Sequence, residues 1–288
     1  LSSAASDVYK RQDLECAVID LFADLLVQGP ARLPVETEHK HLLAAGPKID
    51  RPVDGRGHLG MQQPILSRGI TRRDGLRNLL FIPNQAGTNG TGTDSNCGND
   101  PIGCWVAAFG VVDVNWTTSV FPDNIPWDYA FYVVSDDPGS HQDGLSPSSD
   151  TLDAAVPALS VDFTAPFVDD GTPGAASNDF THGMGYSYSD DPNFMYCAED
   201  MTTEGTANWW LPSCELSGGS SGGPWIQPLT NGSGPIISVN SWGYTTSPGM
   251  AGPILSGTSA SCVYNAAALN DFPSNPANGD AGYAVSCD

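Results

Sequence analysis

Cys214-Glu215-Leu216-Ser217-Gly218-Gly219-Ser220-Ser221-Gly222-Gly223-Pro224-Trp225 is the stretch on which the reading of this chain turns. Glycines on both sides of Ser221 open backbone angles closed to other residues. A backbone bent in that way can aim the N–H groups of Gly219 and Ser221 at one point, beside a hydroxyl able to attack a carbonyl. The same letters also spell a flexible Gly/Ser linker. The flanks argue against the linker: a cysteine precedes the run, and Pro224-Trp225-Ile226 carries it into apolar sequence.

Gly219-Ser220-Ser221-Gly222-Gly223-Pro224 resembles the Gly-x-Ser-Gly-Gly-Pro motif of the trypsin-like (chymotrypsin-fold) serine peptidases. Two further stretches fall in that family's order. Ser241-Trp242-Gly243 is similar to the segment lining the family's substrate cleft, and Trp127-Asp128-Tyr129-Ala130-Phe131 to the strand carrying its triad aspartate. Residues 78–288 look like a secreted bacterial branch of the family, and the resemblance does not reach 1–77. It implies an all-β fold of two antiparallel six-stranded β-barrels with a short C-terminal helix, the first barrel open to being incomplete. It also implies a serine endopeptidase working through an acyl-enzyme on Ser221, with Asp128 supporting a histidine and the N–H groups of Gly219 and Ser221 holding the oxyanion. Ser241, Trp242 and Gly243 would bind substrate. The partner would be a polypeptide, and no metal or organic cofactor would be needed.

The histidine is the missing piece. In the family it precedes the aspartate, inside a Thr-Ala-Ala-His-Cys-like motif, and this chain has no such motif. His141 and His182 follow Asp128. Among His39, His41 and His58, the last lies nearest to the expected spacing before Phe81-Ile82-Pro83. No apolar strand leads into Gly57-His58-Leu59-Gly60, however, and no cysteine follows it. A catalytic His58 and a non-catalytic trypsin-like binding module therefore both stay open. A lipase or esterase on an α/β fold fits less well, because no strand–helix alternation surrounds Ser221.

Three positions bear on specificity and activation through the same resemblance. Glu215 lies six residues before Ser221, where trypsin-type members carry an aspartate that pairs with substrate Arg or Lys; the alternative is an acid facing solvent. Ser220 stands where animal members carry the aspartate that binds a freed N-terminal amine, so that activation switch should not operate. Asn240 stands where glutamate-specific members carry a histidine, so an acidic substrate side chain would be poorly received.

Composition divides the chain sharply. All 11 Lys and Arg and 10 of the 33 Asp and Glu lie in 1–77, which leaves +1 there and −23 on 78–288. A body of that charge repels nucleic acid and anionic membranes, and a soluble monomer is expected. Residues 1–12 include Ser2–Gln12, which resembles a translated sequencing adapter and is set aside as a scar. Residues 13–77 hold one stretch of helical type, Leu14 to Val27, followed by Arg- and Pro-rich sequence without period; a propeptide and a mistranslated segment are the two readings. The rest divides into 78–145, a partial N-terminal barrel, and 146–288, a C-terminal barrel with C-terminal helix and tail.

The seven cysteines suggest the local pairs Cys97 with Cys104, Cys197 with Cys214 and Cys262 with Cys287, leaving Cys16 over. Such pairing fits an oxidising, extracellular setting, and the spacing does not suggest a metal site. Apolar runs predict strands at 79–83, 104–114, 125–134, 154–163, 180–188, 224–227 and 235–244. Residues 135–150 read as a polar crossover, and Ser259 to Leu269 as the one helix of the body.

Overall fold

The computed structural model describes residues 18–19, 42–45, 71–74, 80–84, 87, 96–134, 138–168, 173–175, 177–186, 194–216, 218–244, 246–269 and 281–287. His58, Cys16 and the readings of 1–12 lie outside them. The described residues are mostly strand, with few helices. They form one eight-stranded, one four-stranded and one three-stranded sheet, none of which closes into a barrel.

The centre of the first sheet is the strand Gly103–Asp113, buried along nearly its whole length. Sheet covered on both faces produces such a continuous apolar run in place of alternation. This strand pairs antiparallel with Leu80–Phe81, Ala130–Val134 and His141–Asp143. The C-terminal strand Ala281–Val285 joins it in parallel, a pairing that the all-antiparallel expectation did not include. The helix Ala260–Leu269 lies over this sheet and buries Ala260, Val263 and Ala267, spaced to share one face. They pack with Phe109, Val111, Tyr129, Phe131 and Tyr283. The Tyr129 hydroxyl and the Ser259 hydroxyl share a hydrogen bond of 2.7 Å just ahead of the helix.

The second region holds the four strands Ile236–Val239, Pro224–Ile226, Phe180–Tyr186 and Phe194–Asp200, in that spatial order. A further sheet runs Thr202–Glu204, Asn208–Leu211, Met250–Pro253. Met201, Trp209, Leu211, Leu216, Trp225 and Ile237 fill the space between them.

Several expected elements shift. The strand predicted over 125–134 begins only at Ala130, because Pro126 sits in a 3-10 turn over Ile125–Trp127. The polar crossover contains the strand His141–Asp143. The strand predicted over 154–163 is instead a short helical turn, Leu152–Ala155, and an extended run touching the second region by one bridge, Val161 to Ile236. Val114–Thr118 is another short helix, capped by Asp113 accepting from Asn115 N. The body thus has more than one helical segment.

All three cysteine pairs are disulfides, with Cα separations of 5.5 Å for Cys97–Cys104, 5.3 Å for Cys197–Cys214 and 5.9 Å for Cys262–Cys287. Cys197–Cys214 closes 17 residues and ties the strand Phe194–Asp200 to the entrance of the Ser221 turn. Loop closure of that size contributes about 3 kcal/mol. Replacing both cysteines by alanine should lower the unfolding free energy by that order in a denaturant titration, and an unchanged midpoint would show that the bridge is idle.

Candidate active site

The turn around Ser221 has the strained backbone its glycines suggest. Gly219 and Gly222 have φ of +101° and +87°, a region that favours glycine. Ser220 is buried and Ser221 is exposed, so the turn lifts one hydroxyl out of the surface. Gly223 N donates to Ser220 O at 3.0 Å, and Gly222 N to Asn240 O at 2.8 Å. The strand Phe180–Tyr186 supports the turn from beneath: a Cβ on Gly185 would meet Ser220 at 2.9 Å.

Asp128 lies just outside its strand, between the 3-10 turn and Ala130–Val134. The Ser241 hydroxyl donates to its Oδ2 at 2.5 Å, while Oδ1 is buried and has no partner among the described residues. Burial pushes the Asp128 carboxyl up from 3.8 to about 7, and the Ser241 bond opposes that rise. An enclosed carboxylate oxygen without a donor is costly. Asp128 Oδ1 is thus an unfilled acceptor among the described residues.

Asn240 and Ser241 join these two halves. The Asn240 side chain holds the Ser221 turn, with Nδ2 donating to Ser220 O at 2.9 Å and to Met184 O at 2.7 Å. The next residue, Ser241, holds the acid. Neighbouring side chains on extended backbone point to opposite sides, so one dipeptide reaches both groups. The segment then pairs with Ala251: Ser241 N donates to Ala251 O at 2.9 Å, and Ala251 N to Trp242 O at 2.7 Å. Trp242 is partly exposed and packs against Tyr244 and Trp210, with centroids 5.1 and 5.9 Å away. Gly243 is buried. Gly249 N donates to Cys214 O at 2.9 Å, which ties this wall to the entrance of the Ser221 turn.

Sequence reasoning named Ser221, Gly219, Asp128 and the 241–243 segment as candidates; in the structure residues 240–241 hydrogen-bond to both the Ser221 turn and Asp128. It missed the Ser241 hydroxyl as the donor to Asp128 and Asn240 as a holder of the turn. Two polar residues ending the buried run Ile236–Val239 were the available signal. Glu215 stands exposed at the surface.

The two described histidines serve elsewhere. His141 is enclosed by its own neighbours: Nδ1 lies 3.2 Å from Asp150 Oδ1, Nε2 lies 2.8 Å from Ser148 Oγ, and the ring packs on Trp105 at 4.6 Å. His182 meets Phe180 edge-on at 5.4 Å, and burial lowers its pKa.

No protein-family model matches the chain, and no curated protein does. Among solved structures, it is similar to a thermostable serine protease from an extremophilic microorganism, at 25% identity over 67% of this chain and 76% of that one, with a TM-score of 0.47. It is also similar to a Glu endopeptidase, at 13% identity over 60% of this chain and 68% of that one, with a TM-score of 0.43.

Proposed function

We propose that residues 78–288 belong to a secreted serine endopeptidase domain, with the site between the eight-stranded sheet and the second region. The observation that carries this reading is the pair of hydrogen bonds from consecutive residues, Asn240 to the Ser221 turn and Ser241 to Asp128. They unite an exposed hydroxyl in a glycine turn with a buried carboxylate that still has one acceptor to fill.

In this mechanism Ser221 Oγ attacks the scissile carbonyl carbon while an imidazole takes its proton. The negative charge on the former carbonyl oxygen is held by the N–H groups of Gly219 and Ser221. Collapse of the adduct breaks the C–N bond, and the imidazolium returns the proton to the leaving amine. Water then repeats the sequence on the acyl-enzyme. Asp128 Oδ1 accepts the imidazole Nδ1–H, which fixes the tautomer and stabilises the cation. His58 is the proposed source of that imidazole. The three disulfides suit an extracellular setting.

The test is release of peptides from an unfolded polypeptide. Chelator-insensitive cleavage, stopped by a serine-directed phosphonate, is expected. Absence of cleavage with intact binding of the same polypeptide would support the non-catalytic module in its place.

Glu215 gives the proposed selectivity. Its exposed carboxylate can attract a substrate Arg or Lys, but a solvated ion pair contributes at most about 1 kcal/mol. The expected preference for Arg or Lys over Leu is therefore a few-fold, and Glu215→Gln should remove it in a peptide-library cleavage profile. An unchanged profile would separate Glu215 from substrate choice.

A further inference from the structure

We infer that Asn240 is a positioning residue for the oxyanion site, locking the Ser220–Ser221 peptide so that the Ser221 N–H faces outward; this rests on the hydrolase reading above. Asn240 is fully buried, at 0% exposure, at the end of an apolar strand. Its Oδ1 accepts from Trp225 Nε1 at 2.7 Å, and its Nδ2 donates to Met184 O at 2.7 Å and Ser220 O at 2.9 Å. Both amide donors and the carbonyl are thus engaged, so the side chain has one orientation. Its backbone is held to the same turn, with Gly222 N donating to Asn240 O and Asn240 N donating to Gly223 O at 2.7 Å.

The Ser220 carbonyl consequently receives two donors from the interior, Asn240 Nδ2 and Gly223 N. A trans peptide directs its C=O and N–H to opposite sides. Drawing Ser220 O inward therefore drives the Ser221 N–H outward, toward the surface on which Ser221 is exposed. The neighbouring glycines cannot supply this orientation, because their backbones tolerate either sense of the peptide. There is no spare room around the clamp: a Cβ on Gly223 would run into Met184 O and Asn240 Nδ2. Asn240 acts only through Ser220 and does not touch substrate.

Asn240→Asp tests this, since it keeps an acceptor for Trp225 Nε1 and replaces the donor facing Ser220 O with oxygen. Ser238→Ala is the control: it lies on the same strand and removes a buried hydroxyl that donates to Pro253 O at 2.7 Å, away from the turn. Misaligning one oxyanion donor costs on the order of 10²-fold in kcat. Asn240→Asp should therefore lower kcat by about 10²-fold with KM within about twofold, and weaken a peptide aldehyde, which forms the tetrahedral adduct on Ser221, to the same extent. Ser238→Ala should lower thermal stability with kcat and aldehyde affinity retained. If the aspartate does not fold, Asn240→Ala carries the same expectation. Unchanged kcat at Asn240, a loss expressed only in KM, or an equal kcat loss in Ser238→Ala would overturn the inference. If the wild type neither cleaves nor reacts with phosphonate, the hydrolase reading alone falls. The Ser221 amide resonance then decides the clamp: it should move in Asn240→Asp and stay in Ser238→Ala, and an unmoved resonance would overturn it.

Discussion

Ser221→Ala is expected to lower kcat by on the order of 10⁶-fold with little change in KM, fold or melting temperature. Losses of that size accompany removal of the nucleophile when the other groups act only through it. Stability should hold because Ser221 is exposed and the turn is fixed from other atoms: Ser220 O, Gly222 N, Gly223 N and the Asn240 amide. Deleting Oγ opens no buried void and leaves no buried partner unsatisfied. Steady-state kinetics with a thermal melt separates the two effects. A variant retaining more than about a hundredth of wild-type kcat would place the chemistry elsewhere.

Asp128→Asn should lower kcat by about 10⁴-fold, because an amide can present its N–H to the imidazole and favour the wrong tautomer. The same substitution should change stability with a defined pH dependence. The folded-state carboxyl is raised to about 7 from 3.8. A raised carboxyl favours the folded state fully below the unfolded value, and that contribution is lost as pH climbs through the folded value. Wild-type stability should therefore decline between about pH 4 and 7 by up to a few kcal/mol from this residue. Asparagine, which does not titrate, should flatten that segment of the curve. Denaturant titrations at pH 4 and pH 8 check it. Equal pH slopes in the two proteins would show that the Asp128 carboxyl is not raised in the folded state.

The glycine turn around Ser221 was legible because its requirements are local. Positive φ at Gly219 and Gly222 needs glycine, and the letters show it. Asp128 stood out as a lone acid in apolar sequence, while its backbone state depended on Pro126 delaying the start of the strand to Ala130. Asn240 was not legible in its role, because the contacts that define it come from residues 184, 220 and 225, brought together only by folding. The strands Phe194–Asp200 and Met250–Pro253 escaped notice for another reason. The first is a partly exposed edge strand with no buried alternation, and the second contains glycine and proline and takes its order from pairing with Asn208–Leu211. The three disulfides were legible from proximity in sequence. No motif in the sequence marks a histidine for the proposed site.

The most direct test of the central claim is a covalent one. The folded protein is treated with a fluorophosphonate, digested, and the adduct located by peptide mass spectrometry. The account predicts one stoichiometric adduct on Ser221, absent from Ser221→Ala and from protein unfolded before treatment. An unreactive folded protein, or an adduct on another serine, would contradict it.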